Sequence, residues 1–457
     1  MTAHLRNALP RRGRVAGLAL AVALTVSAPA RADVLIDNVN GMTLDLQGQV
    51  EHFTGLLVGD DGRIEQVLQR SDKRPGKVDF KVDGKGRVVI PGLIDSHVRL
   101  MDFGLSLLTG TRPNAEPRPE DRDQALAKAQ RLLLERGITA VADMGTTIED
   151  WQTYRRAGDL GTLQLRVMAY AEGVPAMILI GGPGPTPWLY DDRLRLNGVK
   201  LTLDGSLASR GAALKAPYAD APAAKVALHL NDTQLKNLTS RAAMDNFQTA
   251  IEAAGDRASA AVLDALDEMT DTYKGDRRWR IEYAEVIDPA DLPRFRGKGI
   301  VVAMPPLQQA AGATVAEARL GPARAAGAYA WKSLADAGAT VVMGSGSGAS
   351  GAPPEPFAAI ATAITRQDAD GLPYGGWQAQ ERLTREAALA GWTAAAAYGA
   401  FAEGHFGRLV KGQRADFLLI DGDPLLATPA ELRAMRVLQT WVGGKPVYQA
   451  KDEAGSQ

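Results

Sequence analysis

The sequence has no cysteine and only five histidines in 457 residues. The first absence excludes disulfides, Cys-ligated zinc, iron–sulfur clusters and thiol catalysis together. The second confines any imidazole chemistry to His4, His52, His97, His229 and His405. An excess of one charge is missing too: 52 Lys and Arg meet 53 Asp and Glu, so no nucleic-acid or anionic membrane partner is expected. Aromatic residues are sparse at 6%, but 46% hydrophobic and 23% charged residues make an ordinary globular composition with material for a large core.

Near the amino terminus, Arg6, Arg11, Arg12 and Arg14 precede an apolar run from Val15 to Val26 and a small-residue end at Ala30-Arg31-Ala32. The run is too short to span a bilayer comfortably, and the order of basic, apolar and small residues reads as a secretory signal over residues 1–32. Its removal takes away five arginines and no acid, leaving a mildly acidic mature chain. The expectation is an exported protein, periplasmic or extracellular, with no stable membrane insertion after cleavage.

Residues 33–90 carry short β-like runs at Val34–Ile36, Phe53–Val58, Ile64–Leu68 and Val88–Ile90, separated by Asp-Gly and Gly-Lys-Gly turns. Residues 406–450 repeat the texture at Gly407–Val410, Ala415–Ile420 and Leu438–Val442, before a tail at 451–457. Each end holds too few strands for its own core, so the two are expected to join in a small composite β-sandwich domain. Between them, residues 91–405 show eight apolar runs: Leu93–Val98, Ile138–Met144, Leu165–Tyr170, Val199–Leu203, Phe247–Ile251, Trp279–Ile281, Ile300–Ala303 and Thr340–Met343. Helical patterns lie between most of them, at 119–136, 147–157, 232–245, 256–272, 289–295 and 325–336, while Gly181–Pro187 reads as loop. Runs apolar on both alternations are buried parallel strands, and eight of them with helices indicate an α/β chain folded as a TIM-type (β/α)8 barrel, with a doubly wound open sheet as the alternative.

Chemistry in such a barrel sits at the carboxyl ends of the strands. Those ends carry Asp95-Ser-His97-Val-Arg99, Lys200 with Asp204, Glu252, Tyr283 and Ser345-Gly346. With Val89-Ile-Pro-Gly-Leu-Ile-Asp-Ser-His97, Val199–Gly205, Ala253–Asp256, Arg280-Ile-Glu282 and Gly407–Asp416 in that order, the sequence resembles the amidohydrolase superfamily over nearly its whole length after residue 32, on the branch of the N-substituted formamide deformylases. The resemblance implies hydrolysis of carbon–nitrogen bonds other than peptide bonds. It also implies one or two divalent metals, such as zinc, held by a His-x-His pair on the first strand, a carboxylated Lys on the fourth, a His on each of the fifth and sixth, and an Asp on the eighth. The metal would activate water and polarise the scissile carbonyl, and the Asp would take the proton.

On that mapping only His97 and Lys200 match. Arg99 replaces the second His of the pair, Glu252 the fifth-strand His, Tyr283 the sixth-strand His and Gly346 the eighth-strand Asp. A guanidinium cannot be deprotonated to become a ligand, and it sets a fixed cation where a divalent ion would bind. The vestigial donors are His97, Lys200 and Glu252, and no metal is expected at full occupancy. We expect ion pairing among Arg99, Glu252 and Lys200 across the barrel mouth in the metal's place, with Asp204 in the pocket completing the charge balance. The segment from Phe103 to Arg118 is also short for the family and Pro-bearing, so pocket elements are expected to be missing.

Other motifs carry less. Gly346–Gly351 has dinucleotide-type spacing, but Pro353-Pro354 stands where a helix should open. His229 and His405 suit surface roles, and Asp416 a turn of the β-domain. Two functional readings follow for a small-molecule ligand of unknown identity: an exported hydrolase with a degenerate metal site and weak or no catalysis, or a non-catalytic pseudoenzyme that binds a small molecule or partner in the former pocket.

Overall fold

The computed structural model describes residues 33–108, 118–348 and 352–451. The expected signal at 1–32, most of the carboxyl-terminal tail and residues 109–117 of the short segment after Phe103 lie outside them. Five strands come first: β1 (Val34–Leu44), β2 (Val50–Val58), β3 (Ile64–Leu68), β4 (Phe80–Asp83) and β5 (Val88–Pro91). Eight more follow: β6 (Leu93–Val98), β7 (Ile138–Thr146), β8 (Arg166–Glu172), β9 (Leu194–Thr202), β10 (Gln248–Ala253), β11 (Arg280–Tyr283), β12 (Val301–Met304) and β13 (Thr340–Met343). The chain closes with β14 (Phe417–Ile420), β15 (Val437–Val442) and β16 (Lys445–Gln449).

Strands β6 to β13 pair in parallel with their sequence neighbours. The seam is bridged where Val98 meets Ser347; there the Gly346 N–H donates to His97 O at 2.9 Å and the Arg99 N–H to Ser347 O at 2.9 Å. Sequential order plus this closure makes a (β/α)8 barrel and removes the doubly wound alternative. Every residue of β7 and of β12 is buried, because barrel interior and helix layer both exclude water.

The two chain ends meet in one hydrogen-bonded sheet, in the order β16-β15-β14-β5-β1-β2-β3 with β4 alongside β1, around a core that includes Ile36, Phe53, Leu56, Val89, Phe417 and Leu419. Most pairs are antiparallel; β1 runs parallel to β4 and β5. The run Gly407–Val410 forms no strand, since the Leu409 N–H is taken by the Thr43 hydroxyl at 2.9 Å. Asp416 does more than shape a turn: its carboxylate holds both Arg166 Nε (2.5 Å) and Nη2 (2.8 Å), a buried pair tying this sheet to the start of β8.

Helices Pro119–Glu135, Ile148–Asp159, Asp232–Met244 and Asp256–Thr272 fill the expected intervals. Thr147 and Asn231 cap two of them by accepting the N–H three residues on. The helix expected over 325–336 instead breaks into Pro322–Ala325 and Trp331–Asp336, with Tyr329 at φ 51° between them. Several helices were not anticipated, among them Leu100–Ser106, Gly173–Gly181, Pro306–Leu320 and Pro356–Thr365.

Candidate functional site

The carboxyl ends of the strands converge on three clusters of charge. The first is fully enclosed. Arg280 and Glu282 stand two apart on β11, so both point into the barrel, and Arg280 Nε donates to Glu282 Oε1 at 2.7 Å. Glu282 Oε2 lies 2.7 Å from His97 Nδ1, while Arg280 Nη2 also holds Ser96 O at 2.8 Å. Burial alone would raise the Glu282 pKa, but the Arg280 charge and the His97 hydrogen bond override it and bring it down to about 2. With an ionised acceptor on Nδ1, that nitrogen carries the imidazole proton and Nε2 is the free face. His97 Nε2 is buried without a partner, and the ring lies 4.6 Å from that of Tyr283.

The second cluster is the ion pair of Lys200 with Glu252, at the ends of the adjacent strands β9 and β10, with side chains 7% and 20% exposed. Arg99 forms the third, and here the expectation fails. It reaches neither Glu252 nor Lys200; its Nε donates to Asp102 Oδ2 at 2.5 Å and its Nη2 lies 3.6 Å from Glu172 Oε1. The reason is topological: β6 and β10 stand four strands apart in a ring of eight, on opposite sides, whereas Asp102 is one turn away on the helix that starts at Leu100. The guanidinium sits over Gly145, where a Cβ would come within 3.2 Å of Arg99 Cζ.

Asp204 is likewise no charge partner. Fully buried, it accepts the N–H groups of Ala213 (2.7 Å), Ala254 (2.8 Å) and Gly255 (2.9 Å), pinning the loops after β9 and β10. Burial raises its pKa to about 6 against those three bonds. Burial also lifts Asp95, which accepts from the N–H of Ser345 (2.9 Å) and His97 (3.1 Å), to about 6. Tyr283, at φ 73°, has its phenol pushed well up by burial and by Glu252, Glu282 and Glu285. At Gly346 (φ 66°) a Cβ would collide with the side-chain amide of Gln308, which fills the space a larger residue needs.

Sequence reasoning quoted Arg280 and Glu282 as part of a motif without giving them a role, and it passed over Glu285. The signal for the first two was present, since opposite charges at i and i+2 in an apolar strand share a face. Glu285 is 4% exposed and accepts the Leu207 N–H at 2.7 Å; burial first, then Asp204 and Glu252, raise its pKa to about 7. Because the folded pKa lies above the ordinary value of 4.5, ionising Glu285 withdraws stability as the pH rises through 7. Glu285→Gln, compared with the natural chain, is therefore expected to gain about 1–3 kcal/mol more at pH 8 than at pH 5, read as melting midpoints. An equal difference at both pH values would refute this.

The donors do not make a metal site. Among the described residues no group of three or more His, Asp or Glu side chains is placed to hold an ion. His97 offers one nitrogen, Lys200 and Glu252 are spent on each other, and Arg99 adds a cation.

The sequence pattern described as "Amidohydrolase family" matches residues 112–448. The chain belongs to the amidohydrolase family. Among curated relatives of this family member, Protein LONG AFTER FAR-RED 3 of Arabidopsis thaliana is 31% identical over 72% of the chain and 58% of its own length. N-substituted formamide deformylase of Arthrobacter pascens is 25% identical over 68% of the chain and 58% of its own. The chain thus spans little more than half the length of these two relatives. A crystal structure described as an uncharacterized metal-dependent hydrolase from Pyrococcus horikoshii superposes with TM-score 0.74 at 20% identity, covering 87% of this chain and 99% of that one; it shares the fold.

Proposed function

We propose that this amidohydrolase-family protein is exported and uses its barrel mouth to bind a small molecule, without the metal-assisted carbon–nitrogen hydrolysis of its lineage. The observation that carries this reading is the Lys200–Glu252 ion pair. Carboxylation of a lysine needs a free amine open to carbon dioxide, and the Lys200 Nζ is engaged by the Glu252 carboxylate in a nearly closed site. With each side chain occupied by the other, the bridging ligand is not made and Glu252 is not open to an ion. Arg99 supports the reading from the other side of the mouth, and Gly346 offers no carboxylate to take a proton from water. The weaker alternative, one ion held by His97, Glu252 and carboxylated Lys200, would have to break that pair. Export is supported by the basic and apolar segment before residue 33; no helix among the described residues is long and apolar enough to cross a membrane.

Zinc content tests the reading. Protein purified from cells grown in zinc-replete medium is expected to hold well under one zinc per chain and to leave N-substituted formamides intact. Stoichiometric zinc with turnover returns it to the working hydrolases. Arg99→His, Glu252→His, Tyr283→His and Gly346→Asp, with Gln308→Ala to clear the space over residue 346, rebuild the ligand set. Zinc uptake by that variant alone ties the lost metal to these positions.

A further inference from the structure

The opposite, amino-terminal face of the barrel holds a cavity of about 440 Å³, lined at the feet of β9 and β10 by Arg195, Asn197 and Gln248 and before β11 by Lys274, Asp276 and Arg277. Its volume is that of a small-molecule site. The charges around it are unbalanced. Asp276 is already held by Arg278 at 2.8 Å, and the same guanidinium holds Glu403 at 2.6 Å, so the nearby carboxylates are consumed. Arg195 finds only carbonyls, donating to Thr186 O at 3.2 Å and Phe401 O at 3.4 Å, with its guanidinium 5.7 Å from the Trp188 ring. Burial holds Arg195 below its ordinary pKa, with Tyr170 and Glu403 offsetting only part of the cost. Arg277 donates from Nη1 to Asn246 Oδ1 (2.9 Å) and Ala243 O (3.3 Å), while its Nε–H is buried with no partner.

The second unmet group fixes what else the occupant must offer. Asn197 is 4% exposed; its Nδ2 donates to Ala400 O, and its Oδ1 is buried with no partner. Reversing the amide would set two oxygens face to face, so the free acceptor is fixed in place. Gln248 is satisfied on both sides, by Tyr170 at 2.6 Å and by the carbonyls of Arg278 (2.6 Å) and Gly399 (2.9 Å). Lys274 already lies 3.8 Å from Asp271 Oδ1, so a ligand must supply negative oxygens for Arg195 and Arg277, and a donor for Asn197. An ammonium donor would be repelled by the two guanidinium groups, which leaves a neutral donor, of which a hydroxyl is the simplest.

We propose that this cavity is a binding site for a hydroxylated small organic anion, a hydroxycarboxylate or a sugar phosphate, held by Arg195 and Arg277 through its acidic group and by Asn197 Oδ1 through a hydroxyl. The site is separate from the barrel mouth and independent of what happens there. Strands β9 and β10 carry Arg195, Asn197 and Gln248 at one end and Lys200 and Glu252 at the other.

Isothermal titration of the full chain at constant ionic strength with gluconate, glucose 6-phosphate, hexanoate and glucose tests it. Saturable binding of gluconate, of glucose 6-phosphate or of both supports the site and says whether it takes a carboxylate or a phosphate ester; hexanoate and glucose are expected to bind at least tenfold more weakly. Arg277→Gln, at a half-buried position, should weaken the anion roughly tenfold or more, the loss of one charge-assisted hydrogen bond. Asn197→Ala should narrow the preference for gluconate over hexanoate. Arg195→Gln with an unchanged melting midpoint should repeat the Arg277 result. Absence of binding by both anions, equal binding of hexanoate, or an unaltered Kd in the arginine variants would each overturn the proposal.

Discussion

Glu282→Gln is expected to lower the stability of the chain at pH 7 by about 3–5 kcal/mol, the cost of leaving a buried charge without its partner. Both Arg280 and Glu282 have fully enclosed side chains, and the substitution strands the Arg280 guanidinium beside a neutral amide. The depressed pKa gives an independent route to a similar size: a fall from 4.5 to about 2 corresponds to about 3 kcal/mol. The folded pKa is the lower one, so this stability is present above pH 4.5 and drains away as the pH falls toward 2. The gap between natural chain and variant should accordingly be full at pH 7 and visibly smaller at pH 3.5, measured by urea unfolding at each pH. A gap that does not change with pH would mean the carboxylate is not the ionised centre of this cluster. Arg280→Met with Glu282→Met removes both charges and should recover much of the loss, because two apolar side chains of similar length need no counter-ion.

The barrel was legible because each of its eight strands is a short apolar run buried on both faces, a pattern that depends on no partner far away in sequence. The helix Pro306–Leu320 was missed for the opposite reason. It opens with Pro305-Pro306 and is rich in small residues, so its apolar stripe is weak, and its existence rests on packing. In the site, the pairing of Lys200 with Glu252 could be expected from neighbouring strands whose ends carry opposite charges. Arg99 could not be placed the same way: strand count alone puts it across the ring from Glu252, while a carboxylate three residues away lies well within reach. Asp204 shows the same limit. Its type and position suggested charge balance, yet the loops after β9 and β10 had three amide groups to satisfy, and a buried carboxylate lying between the two loops met that need first. Long-range charge partnership is decided by which unmet group lies closest in space.

Glu252→Gln is the second large effect, and it is expected to cost about 2–3 kcal/mol. The figure sits below that for a fully enclosed pair because Glu252 keeps a fifth of its side chain in contact with solvent, which screens part of the stranded Lys200 charge. In a metal enzyme a change at this position would chiefly cost turnover and leave the melt nearly unmoved; here the melt should carry the effect. Lys200→Met alone should also destabilise, by leaving the carboxylate without its cation in the nearly closed mouth. The double variant Lys200→Met, Glu252→Met should lose less than the sum of the single changes, a coupling of at least about 1 kcal/mol in a double-mutant cycle. Additive losses would mean the two side chains do not share a charge, and Lys200 would again be free to carry the carboxyl group that a metal centre of this family requires.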